Sequence, residues 1–111
     1  MRMGRSEALD LFAKWRTDGA LLRCQASFFM YAFSFRVKVI HVSPNEVRLA
    51  SPNVQTELVL KITDKLIFEY LDDRSVSGQE AKDYVCCLAV FYTEPTEDED
   101  GETIAFAEVK L

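Results

Sequence analysis

Arg23, Arg36, Lys38 and Arg48 are the residues of this chain best suited to grip another molecule. All four fall in segments that read as strands, and Arg36 and Lys38, two positions apart, share one exposed face. With Phe and Tyr side chains nearby, such a cluster could hold single-stranded nucleic acid by phosphate contacts and base stacking. The overall balance opposes that use. Net charge is −5 and the pI is near 4.8, whereas phosphate binding rests on a local excess of cations. Nucleic acid is therefore the disfavoured partner, and acidic residues of the second half are the expected neighbours of these cations. The first fifty residues carry a net +4 and the remainder −9, an asymmetry that also suits head-to-tail association.

Other chemistry is sparse. His41 is the only histidine, and Cys86 and Cys87, adjacent in a strand, must point to opposite faces, so no zinc set forms. Cys24, Cys86 and Cys87 read as small apolar core residues. A Cys24–His41 nucleophile pair has no third residue to orient it. Thr96 to Glu102 echoes a calcium loop, but placing Gly101 at that loop's glycine puts Ala107 where a bidentate Glu is needed. Asp73, Ser75 and Gly78 match half of the cyclic-dinucleotide signature of PilZ barrels; the arginine pair that would grip the phosphates is absent. No catalytic residue, metal ligand or cofactor is assigned, and the chain is expected not to be an enzyme.

The elements that would position these residues start from Tyr31 to Val42, the longest alternation in the chain. Tyr31, Phe33, Phe35, Val37 and Val39 point one way, with Ala32, Ser34, Arg36 and Lys38 between them. At Ile40 the phase changes, which predicts a bulge, a sharp bend or burial on both sides. Before this strand, Ser6 to Arg16 reads as an amphipathic helix with Ala8, Leu11, Phe12 and Trp15 as its apolar stripe, Ser6 as N-cap and Gly19 as the stop. Ala20 to Ala26 is a strand with Leu22, Cys24 and Ala26 on one side. A turn near Ser27 to Met30 then makes Phe28, Phe29, Met30 and Tyr31 an apolar corner, the candidate association surface.

Ser43, Pro44, Asn45 and Glu46 form a turn into Val47 to Ser51. Val54 to Ile62 alternates again, and Leu66 to Leu71 places Leu66, Phe68 and Tyr70 together. Asp72 to Asp83 is a long polar loop, and the acidic stretch Glu94 to Glu102 a solvated hairpin tip. Tyr84 to Tyr92 is apolar on both faces, as expected of a central strand, and Thr103 to Leu111 ends the fold.

These 111 residues form one domain of the α+β class, mainly antiparallel β: an N-terminal helix followed by about seven strands in a small bent sheet or barrel. No apolar run spans a bilayer and no leader core is present. The odd cysteine count fits a reducing compartment, so a cytoplasmic, membrane-free protein is expected. Helix, short strand, long bent strand and Pro-Asn turn, over about Ser6 to Leu71, resemble the layout of Sm-like small barrels. That resemblance implies a barrel-like fold and, as the alternative function, nucleic-acid binding. The bend glycine and the Asn-Gly or Arg-Gly loops of that family have no counterpart here. The leading expectation is a non-enzymatic domain that forms a homo-oligomer or binds a protein partner; a small-ligand barrel lined by Tyr31, His41 and Tyr84 is the further alternative.

Overall fold

Gly4 and Gly19 bracket the helix. In the computed structural model, which describes residues 1–28, 31–52, 57–72, 84–92 and 103–110, a two-residue strand β1 (Arg2–Met3) precedes helix α1 (Arg5–Asp18). The helix starts before Ser6 because the chain leaves β1 extended: Gly4 keeps an extended backbone, its carbonyl accepts from the Ala8 N–H at 2.9 Å, and its own N–H donates to Glu7 Oε1 at 3.4 Å. Glycine is accepted at an N-cap, and a carboxylate at the third helical position completes the start. Gly19 takes the left-handed conformation, φ 62°, and ends the helix as its position predicts. The apolar stripe buries Ala8, Phe12 and Trp15 fully, while Leu11 is half-buried.

Seven further strands follow: β2 (Leu22–Phe28), β3 (Tyr31–Val42), β4 (Glu46–Ala50), β5 (Glu57–Lys61), β6 (Ile67–Asp72), β7 (Tyr84–Phe91) and β8 (Thr103–Val109). All pairings are antiparallel, in the order β1-β6-β7-β8-β2-β3-β4-β5. Alternation decides the faces. Leu22, Cys24 and Ala26 on β2, Val37 and Val39 on β3, Leu88 and Val90 on β7, and Ile104 and Phe106 on β8 are buried in one cluster with the helix stripe. Ser34, Arg36 and Lys38 stay exposed.

The phase change at Ile40 is a bulge. Pairing with β4 steps from Val39↔Leu49 to His41↔Arg48, leaving Ile40 without an opposite residue and 45% exposed. The first part of β3, up to Val37, pairs with β2 and the last part, from Lys38, with β4, so the bulge lies within the β4 ladder just past the handover.

Sheet order and loop length together require curvature. β5 and β6 lie six strand spacings apart, about 29 Å in a flat sheet. The connection from Lys61 to Ile67 can reach only about 20 Å when fully extended. The sheet must therefore curl around α1 into a barrel-like layout, although no ladder joins β5 to β1 or β6 among the described residues, so the sheet is not closed. Arg5, beside β1, ties this seam: its Nη1 donates to Asp64 Oδ1 at 2.9 Å and its Nη2 to the Pro44 carbonyl at 2.7 Å. Trp15 anchors the helix end, its Nε1–H donating to Glu108 Oε1 at 2.6 Å. Among the described residues no helix is long and apolar enough to cross a membrane.

Candidate functional site

Strand alternation places Arg23, Arg36, Lys38 and Arg48 on the outer face, all exposed, but the register divides them. Arg48 lies 3.5 Å from both Glu46 and Glu57, and Lys61 Nζ lies 3.3 Å from Glu46. The hydrogen bond from Lys61 is the main reason the Glu46 carboxyl sits below its ordinary value, with Arg48 adding to it. Arg48 thus has the acidic neighbours that the charge asymmetry suggested. Lys38 lies opposite Ala50, two positions along the same exposed face from Arg36.

Arg23 and Arg36 are direct cross-strand partners. Like charges facing each other across a ladder cost stability, of order 0.2–1 kcal/mol. Two neutral oxygens hold Arg23 in place: Nε donates to Ser34 Oγ at 3.0 Å and Nη1 to Tyr84 Oη at 2.7 Å. Around this pair is a concavity of ≈ 450 Å³, lined also by Ser34, Tyr84 and Lys110. Lys110 was not singled out by the sequence because only the β2–β8 and β7–β8 registers bring its end of the chain here. Of the alternative ligand set, Tyr84 lines the concavity, His41 is exposed across from Arg48, and the Tyr31 side chain lies outside the described residues.

The same face continues as an apolar field over β6, β7 and β8. Ladder partners place Leu71, Cys87 and Ala107 in one row, Ala89 between Glu69 and Ala105 in the next, and Phe91 between Ile67 and Thr103 in a third. All are half-buried on the side away from the core. The two apolar faces of Tyr84 to Tyr92 resolve accordingly: Cys86, Leu88 and Val90 enter the core and Tyr92 packs against it, while Cys87, Ala89 and Phe91 join this outer field. The apolar corner is less accessible to description. Phe28 and Tyr31 pair as the ends of β2 and β3, while Phe29 and Met30 lie outside the described residues. The Asp73, Ser75 and Gly78 spacing and the Thr96 to Glu102 stretch also lie outside them.

Cysteine placement follows strand alternation. Cys24 and Cys86 are buried and Cys87 is half-buried on the opposite face. Cys24 faces the core and His41 the exterior, so the two do not meet. Burial pushes the Cys24 thiol up to about 12 and is the largest cause that raises Cys86 to about 11. Because the unfolded thiol ionises near its ordinary value while the folded thiol keeps its proton, stability is full below pH 9.0 and falls as pH rises towards 12. Cys24→Ala should flatten that loss relative to the parent by up to about 1.4 kcal/mol per pH unit. Urea midpoints measured across this range check it; identical slopes would mean that the thiol is not buried.

Among the described residues no group of three or more His, Cys, Asp or Glu side chains could hold a metal ion. No protein family, curated protein or solved structure matches the chain.

Proposed function

We propose that this domain acts by self-association, a second copy packing on the outer face of β6, β7 and β8. The observation that carries this reading is the apolar field itself. A central strand of a solvated sheet ordinarily alternates apolar and polar residues, yet β7 presents Cys87, Ala89 and Phe91 outward, flanked by Ala105 and Ala107. Small residues keep the surface flat enough for sheet-on-sheet packing at about 10 Å.

Charge placement selects a second copy over other occupants. A two-fold axis lying in the interface, parallel to the strands and between β7 and β8, lays the β2 border of one copy over the β6 border of the other. The basic border with Arg23 then approaches the border with Glu69. An Sm-like nucleic-acid module is the weaker reading, because Arg48 is engaged by Glu46 and Glu57 and the remaining cations do not form an extended track.

Sedimentation equilibrium tests the proposal. The parent chain should dimerise at micromolar concentration. Ala105→Arg, which puts like charges of two copies face to face, should weaken the dimer by about 30-fold or more while leaving far-UV circular dichroism unchanged. A strict monomer, or an Ala105→Arg variant that associates as the parent does, overturns it.

A further inference from the structure

We propose that the outer edge of β5 is a second self-association site, pairing antiparallel with β5 of another copy about a two-fold axis at Val59. The inference goes beyond the outer-face dimer and shares no residue with it, since β5 ends the sheet order on the side opposite β6, β7 and β8.

Backbone direction decides which groups this edge offers. β5 has β4 on one side and, among the described residues, no strand on the other. The Ile62 N–H donates to the Asn45 carbonyl at 2.8 Å, which extends the β4–β5 register by one step and marks that pair as hydrogen-bonded. Bonded and non-bonded pairs alternate along an antiparallel ladder. Leu58 and Leu60 therefore turn their amides to β4 as Ile62 does, while Glu57, Val59 and Lys61 turn theirs to the open side. Their three side chains are exposed, Val59 by 40%. An apolar β-branched residue in the middle of an edge leaves it ready to pair.

The order of residues names the occupant. With Val59 opposite Val59 of a second copy, Glu57 of each copy stands opposite Lys61 of the other. Each of these facing pairs has its backbone groups turned outward, so each can exchange both N–H···O bonds. Leu58 then comes opposite Leu60 on the core side. A slip of two residues, the smallest that keeps the faces, sets one of the charges against Val59, and parallel pairing sets Glu57 beside Glu57.

The ion pairs within each chain fit this arrangement. Lys61 Nζ lies 3.3 Å from Glu46 with its side chain 72% exposed, and Glu57 lies 3.5 Å from Arg48 with its side chain 44% exposed. Pairing lines up Glu46 and Lys61 of one copy with Glu57 and Arg48 of the other, negative and positive in turn. Neither charge has to leave the neighbour it already has. A five-residue strand buries little surface, so the contact belongs to the weak class and should form at about 0.5 mM protein rather than at micromolar concentration.

Amide exchange with water, read residue by residue by NMR on the Ala105→Arg variant, tests this with the outer faces kept apart. Raising the concentration to about 0.5 mM should slow exchange at Glu57, Val59 and Lys61 by about threefold or more, while Leu58 and Leu60, bonded to β4 throughout, stay unchanged. On the same background, Glu57→Lys sets like charges opposite at Lys61, and Lys61→Glu does so at Glu57. Each variant alone should pair about tenfold more weakly. An equal mixture of the two should pair again, because every facing charge is then opposite, and mixing does not relieve a merely structural defect. An uncharged strand-forming peptide should not slow the three amides. Five results overturn the proposal: no change at 0.5 mM, slow exchange of the three amides at every concentration, equal slowing along all of β5, a mixture that stays unpaired, or an uncharged peptide that acts as well as a second copy. Sedimentation of the parent against Ala105→Arg judges the outer-face dimer separately, so either reading can fail without the other.

Discussion

Trp15→Ala is expected to lower the unfolding free energy by about 3–5 kcal/mol, the usual cost of truncating a large buried aromatic. Trp15 is wholly inaccessible, and Phe12 meets it edge-on with ring centres 5.6 Å apart. Phe12 in turn meets Phe106 of β8 edge-on at 5.4 Å, so the three rings join the helix to the sheet. Removing the indole opens a cavity at that junction and takes the hydrogen bond away from a part-buried carboxylate, Glu108. A domain whose total stability lies in the range of about 5–15 kcal/mol would lose a large share of it.

A second variant separates the two contributions. Trp15→Phe keeps most of the apolar contact but leaves Glu108 without its donor, a loss of about 1–3 kcal/mol. Restoring stability with Glu108→Gln on that background would assign the cost to the stranded charge. Urea unfolding followed by far-UV circular dichroism measures all three variants. A Trp15→Ala loss below about 1 kcal/mol would mean that α1 does not complete the core, contrary to the large cost of opening a well-packed interior.

Local pattern was enough to read most of the elements. The alternation from Tyr31 to Val42, its break at Ile40, the helix stripe and the Gly19 stop all depend on residues within one or two turns or ladder steps of each other, and each has its place in the structure. What the chain order hides is which strands become neighbours. Arg23 meets Tyr84 across 61 positions only because β8 lies between β2 and β7. A period-two pattern specifies a face without specifying a partner strand. Lys110 was thus absent from the expected cation cluster, and Arg48 was grouped with residues that the bulge and the β4 register set apart. The helix start was misplaced for a different reason: the two residues of β1 are too few to show alternation, and Gly4 has no side chain to mark it as a cap.

Val37→Asp and Lys38→Asp should differ by several kcal/mol although they are adjacent. Val37 is fully buried, paired with Leu22 and facing the helix, whereas Lys38 is exposed opposite Ala50. A carboxylate at position 37 has no donor prepared for it. It must either ionise in an apolar interior or bind a proton, and either course costs several kcal/mol near neutral pH. The sign of its pH dependence follows. Its folded pKa would be raised, so the variant should regain part of its stability as pH falls and the carboxyl protonates in both states. Lys38→Asp changes charge in water, and its effect should stay within about 0.5 kcal/mol. Both substitutions put the same side chain into the same strand, so β-propensity cancels between them and only the face differs. Equal losses for the two variants would mean that β3 does not divide core from solvent residue by residue. The outward placement of Arg36 depends on that division.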